Sequence, residues 1–224
     1  VPDRRTSPPS AGTVVLWDYW RSSASYRVRI ALNLAGIAYR TRAVDLLAQD
    51  QRSPEHLARN PQGLVPVLEI DGARLTQSLA ILDYLEATGR LALRPADPLL
   101  QARIEAAVLA IAAEMHPVCN VRILARIEAL TGRPEARGEW VRAILTPELQ
   151  ALETMLAGPG PYAFGREITR ADLCIVPQLY NARRWEVDLS GMPRLREIDA
   201  ACGAHPAFIA AHPDRARAAA GGPA

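Results

Sequence analysis

The sequence contains no lysine, so all 26 of its basic residues are arginine. We read this as a compositional bias of the lineage. Its physical consequence is that every cationic contact uses a planar, permanently charged guanidinium. Cysteine is also scarce. Cys119, Cys174 and Cys202 lie far apart and form neither a CxxC pair nor a zinc-ligand spacing. That excludes a disulfide framework and gives no reason to expect a metal, and it fits a reducing compartment. No apolar run approaches a membrane span and no signal-peptide core is present, so a cytoplasmic location without membrane attachment is expected. Charge of one sign is lacking too. With 26 basic against 24 acidic residues the net charge is +2, and no basic run is long enough to suggest a nucleic-acid partner.

What remains is a chain of 224 residues, 49% apolar and 22% charged, enough for one large domain or two small ones with a real core. Residues 1–13 are rich in Pro, Ser and Arg and read as a loose arm. Val14-Val15-Leu16-Trp17 is a short apolar run expected to be a buried strand. Ser25 is expected to cap a helix carrying Val28, Ala31, Leu32 and Ala35, with Gly36 as its stop. Tyr39 to Val44 alternates as a second strand, and Pro54 to Arg59 is a short helical piece closed by Asn60-Pro61. Val65 to Ile70 reads as a strand entered through Pro66. Asp71-Gly72 is a strong hairpin signal leading to a returning strand over 73–76. Ser78 then caps a helix carrying Ile81, Leu82 and Leu85. The order β-α-β-α-β-β-α predicts a thioredoxin-like domain over residues 14–89.

Residues 90–98 read as a linker. Beyond them no strand pattern appears, and residues 99–212 are expected to be all helical. Leu99 to Met115 has helical spacing, with Pro117 expected to bend or break it. Leu149, Leu152, Met155 and Leu156 mark a further helix. Thr169-Arg170-Ala171-Asp172 has the form of a capping box, with Asp in place of Glu or Gln. Residues 213–224 read as a flexible tail. The fold class predicted is α/β plus all-α.

The densest chemistry lies at Arg21-Ser22-Ser23-Ala24-Ser25, between a strand and a helix N-terminus. Unpaired amides and the helix dipole converge there and stabilise an anion. A thiol held at such a place ionises more easily, and a serine hydroxyl can donate to its sulfur. Lowering a thiol pKa by about two units from 8.5 requires roughly 2.7 kcal/mol. The same residues also suit a plain serine N-cap, and the local pattern alone does not choose between the two.

The run Trp20-Arg21-Ser22-Ser23-Ala24-Ser25-Tyr26-Arg27-Val28-Arg29-Ile30-Ala31-Leu32 resembles the signature of zeta-class glutathione transferases, a class that includes maleylacetoacetate and maleylpyruvate isomerases. The likeness continues through Asn60-Pro61, Leu64-Val65-Pro66 and Gln77-Ser78, then His116-Pro117, Asn120, Arg122, Ala171-Asp172-Leu173-Cys174 and Val176-Pro177-Gln178. It spans roughly residues 14–212. The resemblance implies a glutathione-transferase fold, glutathione as cofactor and a homodimer. Ser22 would hydrogen-bond the glutathione sulfur, with Ser23 beside it. Val65 would pair its backbone with the cysteinyl unit before a cis Pro66. Gln77 and Ser78 would hold the γ-glutamyl end, and Gln51, His116 and Asn120 would complete the glutathione site. The family usually carries cysteine where this chain has Ala24, which argues against thiol-exchange side reactions and leaves isomerisation untouched.

A substrate with two carboxylates calls for cations in fixed forks that do not titrate. By resemblance Arg21 and Arg184 occupy substrate-carboxylate positions, and Arg122 matches an arginine of bacterial maleylpyruvate isomerases. The alternative for any of these arginines is a solvated surface position. His205 and His212 read as surface residues, Trp140 and Trp185 as core or interface residues, and the cysteines as buried thiols. The expected activity is isomerisation of a small maleyl dicarboxylate, with maleylacetoacetate ahead of maleylpyruvate. A general glutathione transferase or peroxidase and a non-enzymatic glutathione-fold binding protein are the rival readings.

Overall fold

A computed structural model describes residues 12–156 and 158–219. The chain divides into two compact units. The first holds the described residues 12–91 and 211–219, the second residues 92–210.

In the first unit β1 (Val14–Asp18), β2 (Tyr39–Ala43), β3 (Val67–Ile70) and β4 (Ala73–Thr76) form one mixed sheet in the order β2-β1-β3-β4. β1 runs parallel to β2 and antiparallel to β3, and β3 runs antiparallel to β4. The parallel pair is joined by α1 (Ser23–Leu34), as a parallel crossover requires, and α3 (Ser78–Ala87) packs beside α1. Leu16 and Leu68 of the sheet, Val28, Ala31 and Leu32 of α1, and Ile81, Leu82 and Leu85 of α3 are fully buried and form the core. The β3–β4 turn is tight because Asp71 and Gly72 both take positive φ, 53° and 74°. A short helix α2 (Pro54–Leu57) lies in the β2–β3 connection, capped by Ser53, whose hydroxyl accepts from the His56 amide.

The register fixes the site. Trp17 pairs with Val67 and Val67 with Thr76. The C-terminal end of β1, the N-terminal end of β3 and the C-terminal end of β4 therefore meet at one end of the sheet. The three segments flanking them, 19–22, 64–66 and 77–78, are brought to that same end.

The second unit is helical: α4 (Pro98–Leu109), a π-helical segment (Ala110–Met115), α5 (His116–Val118), α6 (Val121–Thr131), α7 (Ala136–Met155), α8 (Arg170–Arg184) and α9 (Pro193–Gly203), with α10 (Pro206–Ala211) leading out of it. α4 and α7 both pack on α8 or α9, with Ile104, Ala107, Val108, Ile111, Leu145, Leu149, Leu173 and Leu195 in the core. The helix expected to bend or break at Pro117 passes through a π segment directly before it and breaks two residues after it, at Cys119-Asn120. Proline lacks an N–H and its ring meets the carbonyl four residues back, and the wider π turn directly before it provides the room. The run Pro98–Thr131 is long and apolar enough to cross a membrane by length and composition alone, contrary to the expectation from sequence. It is, however, interrupted at Cys119-Asn120, and its residues Ile104, Ala107, Val108, Ile111, Met115 and Leu124 are buried inside the unit. Asp172 closes the capping box as expected. Its buried carboxylate accepts from the Thr169 amide and hydroxyl at 2.8 and 3.0 Å and from the Ala163 amide at 2.8 Å. Cys119, Cys174 and Cys202 are buried free thiols.

The expected tail needs correction. Residues 213–219 form helix α11 (Pro213–Ala219) in the first unit. Pro213 opens it, the Asp214 amide donates to His212 Nδ1 at 3.3 Å, and the Arg217 guanidinium lies 5.2 Å from the Trp20 ring centroid. No local pattern in the sequence announces contacts made across so long a stretch of chain. Residues 1–11 of the expected arm and residues 220–224 of the tail lie outside the described residues.

Candidate active site

The β1–α1 connection is held from beneath by a buried ion pair. Arg29 Nη1 donates to both oxygens of Asp18 at 2.8 and 2.7 Å, its Nη2 to the Trp20 carbonyl and its Nε to the Ala211 carbonyl, each at 2.9 Å. The two side chains are 2% and 1% exposed. Every donor nitrogen of the guanidinium is engaged, so the Tyr19–Ser22 turn is tied to helix and sheet together.

The cap expected at Ser25 lies three residues earlier: Ser22 is the N-cap of α1, with extended backbone and its Oγ accepting from the Ser25 amide at 3.2 Å, and Ser25 is inside the helix. The cap and donor readings are therefore compatible. A hydroxyl that accepts through its oxygen keeps its own hydrogen to donate. Ser23 follows it at the first helical position and is buried. Arg21 is half-buried and lies over Tyr19 and Trp20, 5.9 and 5.4 Å from the ring centroids. Arg217 approaches the same indole, which therefore carries two guanidinium contacts.

Val65-Pro66 is cis. The carbonyl of Leu64, just before it, accepts from Asn60 Nδ2 at 2.9 Å and lies 3.0 Å from His56 Nε2. A carbonyl only accepts, so the buried His56 ring donates to it from Nε2. Gly63 has φ 62°, and a Cβ there would sit 3.0 Å from the Gln51 carbonyl oxygen, which places the Gln51 backbone against this loop. Gln51 Nε2 is 3.4 Å from Gln49 Oε1, and its own Oε1 is buried with no hydrogen-bond partner among the described residues. Gln77 precedes α3 with φ 65° and donates from Nε2 to Gln62 Oε1 at 2.8 Å. Gln77, not Ser78 as expected, is the N-cap; Ser78 is the first residue of α3, is 5% exposed, and accepts from Arg27 Nη1 at 3.3 Å.

The first unit thus brings Arg21, Ser22, Ser23, Val65, Pro66, Gln77 and Ser78 to one end of its sheet, with Gln51 against the 60–64 loop. His116, Asn120, Arg122 and Arg184 belong to the second unit. His116 opens α5. Asn120 caps α6 by accepting from the Arg122 amide at 3.2 Å, and the exposed side chains of Arg122 and Arg184 lie at the start of α6 and the end of α8. Sequence reasoning missed the roles of Asp18, Arg27, Arg29, His56 and Gln62. A charged residue inside an apolar strand or helix face was the available signal for the first three.

A mixed four-stranded sheet with a serine-capped helix, a cis proline entering the third strand and a helix opening at Ser78 defines a glutathione-transferase type of N-terminal unit. Residues 12–87 match the family profile described as "Glutathione S-transferase, N-terminal domain". Over 211 residues the chain is 56% identical to the maleylacetoacetate isomerase of Rhizobium meliloti strain 1021, covering 92% of this chain and 99% of that one. Among solved structures it is similar to a holo maleylpyruvate isomerase, described as a bacterial zeta-class glutathione S-transferase, with 39% identity, a TM-score of 0.87 and coverage of 90% and 97%. The maleylacetoacetate isomerase of Methylobacterium extorquens AM1, solved with bound malonate and glutathione, gives 39% identity, a TM-score of 0.87 and coverage of 94% and 100%. The chain belongs to the maleylacetoacetate isomerase family of zeta-class glutathione transferases.

Proposed function

We propose that the protein is a glutathione-dependent cis–trans isomerase of a maleyl dicarboxylate, acting on maleylacetoacetate to give fumarylacetoacetate in aromatic catabolism. The observation that carries this is the convergence, at one end of the first unit's sheet, of a capped serine with a hydrogen left to donate and a helix N-terminus at Ser78. These groups fit glutathione, offering a donor for its sulfur and positive potential for its carboxylate. When bound, glutathione supplies a thiolate that adds reversibly to the maleyl double bond and so lets that bond rotate.

The chain's own work is positioning and charge stabilisation. Ser22 donates to the sulfur, with Ser23 beside it. Val65 pairs its backbone with the cysteinyl unit, and Gln77, Ser78 and Gln51 hold the γ-glutamyl end. His116 and Asn120 complete the glutathione site. Arg21 and Arg184 each take one substrate carboxylate, and Arg122 adds a third guanidinium. The protein acts as a cytoplasmic homodimer in this reading, a state that sedimentation measures directly. The buried free thiols are compatible with a reducing compartment.

The test is kcat/KM on maleylacetoacetate and maleylpyruvate, with and without glutathione, for wild type, Arg122→Ala and Arg184→Ala. Wild type should isomerise only with glutathione and should prefer maleylacetoacetate. Arg184→Ala should lose roughly ten- to a hundredfold, the worth of one charge-assisted contact. Isomerisation of neither substrate overturns the proposal. The likeness to a maleylpyruvate isomerase gives a second reading. It takes over if wild type prefers maleylpyruvate and Arg122→Ala harms that substrate far more.

A further inference from the structure

Three arginines are among the largest fully buried side chains of the described residues. Arg29 faces Asp18, and Arg170 faces Glu105 at 3.3 Å. The third, Arg27, is 2% exposed and faces no carboxylate among the described residues. Its one hydrogen bond runs from Nη1 to Ser78 Oγ, while Nε and Nη2 are buried with no hydrogen-bond partner there. Burying a cation with neither a counter-ion nor a full set of acceptors is strongly unfavourable. A group with that arrangement is built for an anion that arrives from elsewhere.

The geometry says where that anion sits. Guanidinium is a donor only, so Ser78 can accept from Arg27 but cannot donate to it. The Ser78 hydroxyl hydrogen is thereby left for an incoming acceptor, and the charge behind it strengthens it as a donor. Ser78 is also the first residue of the ten-residue helix α3, whose opening amides carry positive potential. Serine hydroxyl, helix terminus and buried guanidinium thus coincide on one point.

We infer that Arg27 is a positioning residue for glutathione, holding Ser78 as a donor and supplying the buried positive charge that balances the α-carboxylate of the γ-glutamyl unit. The inference rests on the glutathione-dependent reading above. Arg27 acts through Ser78, apart from the sulfur, so its effect falls on glutathione binding and leaves the chemical step nearly alone.

The experiment compares wild type, Arg27→Met and Arg27→Lys. It measures thermal melting with and without glutathione and calorimetric Kd for two ligands: glutathione, and 4-aminobutyryl-cysteinylglycine, which lacks only the α-carboxylate. Without ligand, Arg27→Met should melt at or above the wild-type temperature, because an unbalanced buried charge has been removed. Its affinity for glutathione should fall by roughly ten- to a hundredfold, with a matching loss of the glutathione-induced shift. Its affinity for the carboxylate-free ligand should equal that of wild type. Arg27→Lys, which keeps the charge, should recover part of the glutathione affinity. In the isomerisation assay, KM for glutathione should rise while kcat stays close to wild type. Unchanged glutathione affinity in both variants, an equal loss for both ligands, or a ligand-free methionine variant that melts well below wild type each overturns the assignment. If wild type itself shows no glutathione-induced shift, the functional reading fails, whereas a wild-type shift retained in full by both variants refutes only the role of Arg27.

Discussion

Replacing Asp18 by asparagine tests how the site is held. The carboxylate takes two hydrogen bonds from Arg29 Nη1, and both side chains are almost wholly shielded from water. The carboxamide of the Asp18→Asn variant would keep one oxygen acceptor, but its amide hydrogens would face guanidinium donors, and the negative charge would be gone. Arg29 would then be a buried cation with no counter-ion, held by neutral acceptors that include the Trp20 and Ala211 carbonyls. Breaking a buried pair from one side costs about 3–5 kcal/mol, a large share of a typical folding free energy of about 5–15 kcal/mol. Removing both charges in Asp18→Asn/Arg29→Met relieves that penalty. What stays lost is the two carbonyl contacts, about 1 kcal/mol each. The double variant should therefore be more stable than Asp18→Asn by roughly 1–3 kcal/mol, a non-additivity that a double-mutant cycle measures. Urea denaturation of the four proteins, followed by far-ultraviolet circular dichroism and tryptophan fluorescence, reads it out. Because Arg29 holds the Trp20 carbonyl two residues before Ser22, Asp18→Asn should also weaken glutathione binding at temperatures where it is still folded. A loss below about 1 kcal/mol for Asp18→Asn, or strict additivity in the cycle, would refute the argument.

Three further outcomes are expected. Ser22→Ala should fold and cost roughly 1 kcal/mol as a lost N-cap. It should raise the pKa of bound glutathione by about 1–2 units, moving the rising limb of the pH–rate profile upward, and an unchanged ultraviolet thiolate titration would exclude Ser22 as the donor. Burial pushes the Cys119 thiol up to about 11 and the Cys202 thiol still higher, so thiolate forms only as pH rises far above neutrality. A chromogenic disulfide reagent at mildly alkaline pH should leave Cys119 and Cys202 unmodified until denaturant is added, and rapid labelling of either in the native protein would contradict their burial. Gly160 has φ 148°, and a Cβ there would lie 2.3 Å from the Gly165 carbonyl oxygen. Gly160→Ala should destabilise by about 1–3 kcal/mol in urea unfolding, since backbone cannot move aside as a flexible side chain can, and wild-type stability would show that the loop yields freely.

Local physical chemistry accounts for much of what the sequence determined by itself. The period-2 and helical patterns, the Asp71-Gly72 turn and the Thr169–Asp172 box all act within a few residues, so their signals lie side by side in the chain. The resemblance of the serine motif also pointed to the family to which the chain belongs. Other features were decided only by the tertiary structure, because they depend on contacts between distant residues. Within Tyr26-Arg27-Val28-Arg29 nothing local announces that both arginines are buried, one against Asp18 and the Ala211 carbonyl and the other against Ser78. Residues 213–224 read as a tail because their composition is polar and small. Residues 213–219 fold as α11, in which the Arg217 guanidinium meets the Trp20 ring from the far end of the unit's chain. The path through Pro117 depended on a π turn, which needs packing around it and leaves no period in the sequence. The meeting of Ser22, Pro66 and Ser78 came from strand register, since sheet pairing is non-local and a slip in it would have displaced the segments flanking the strands from one another.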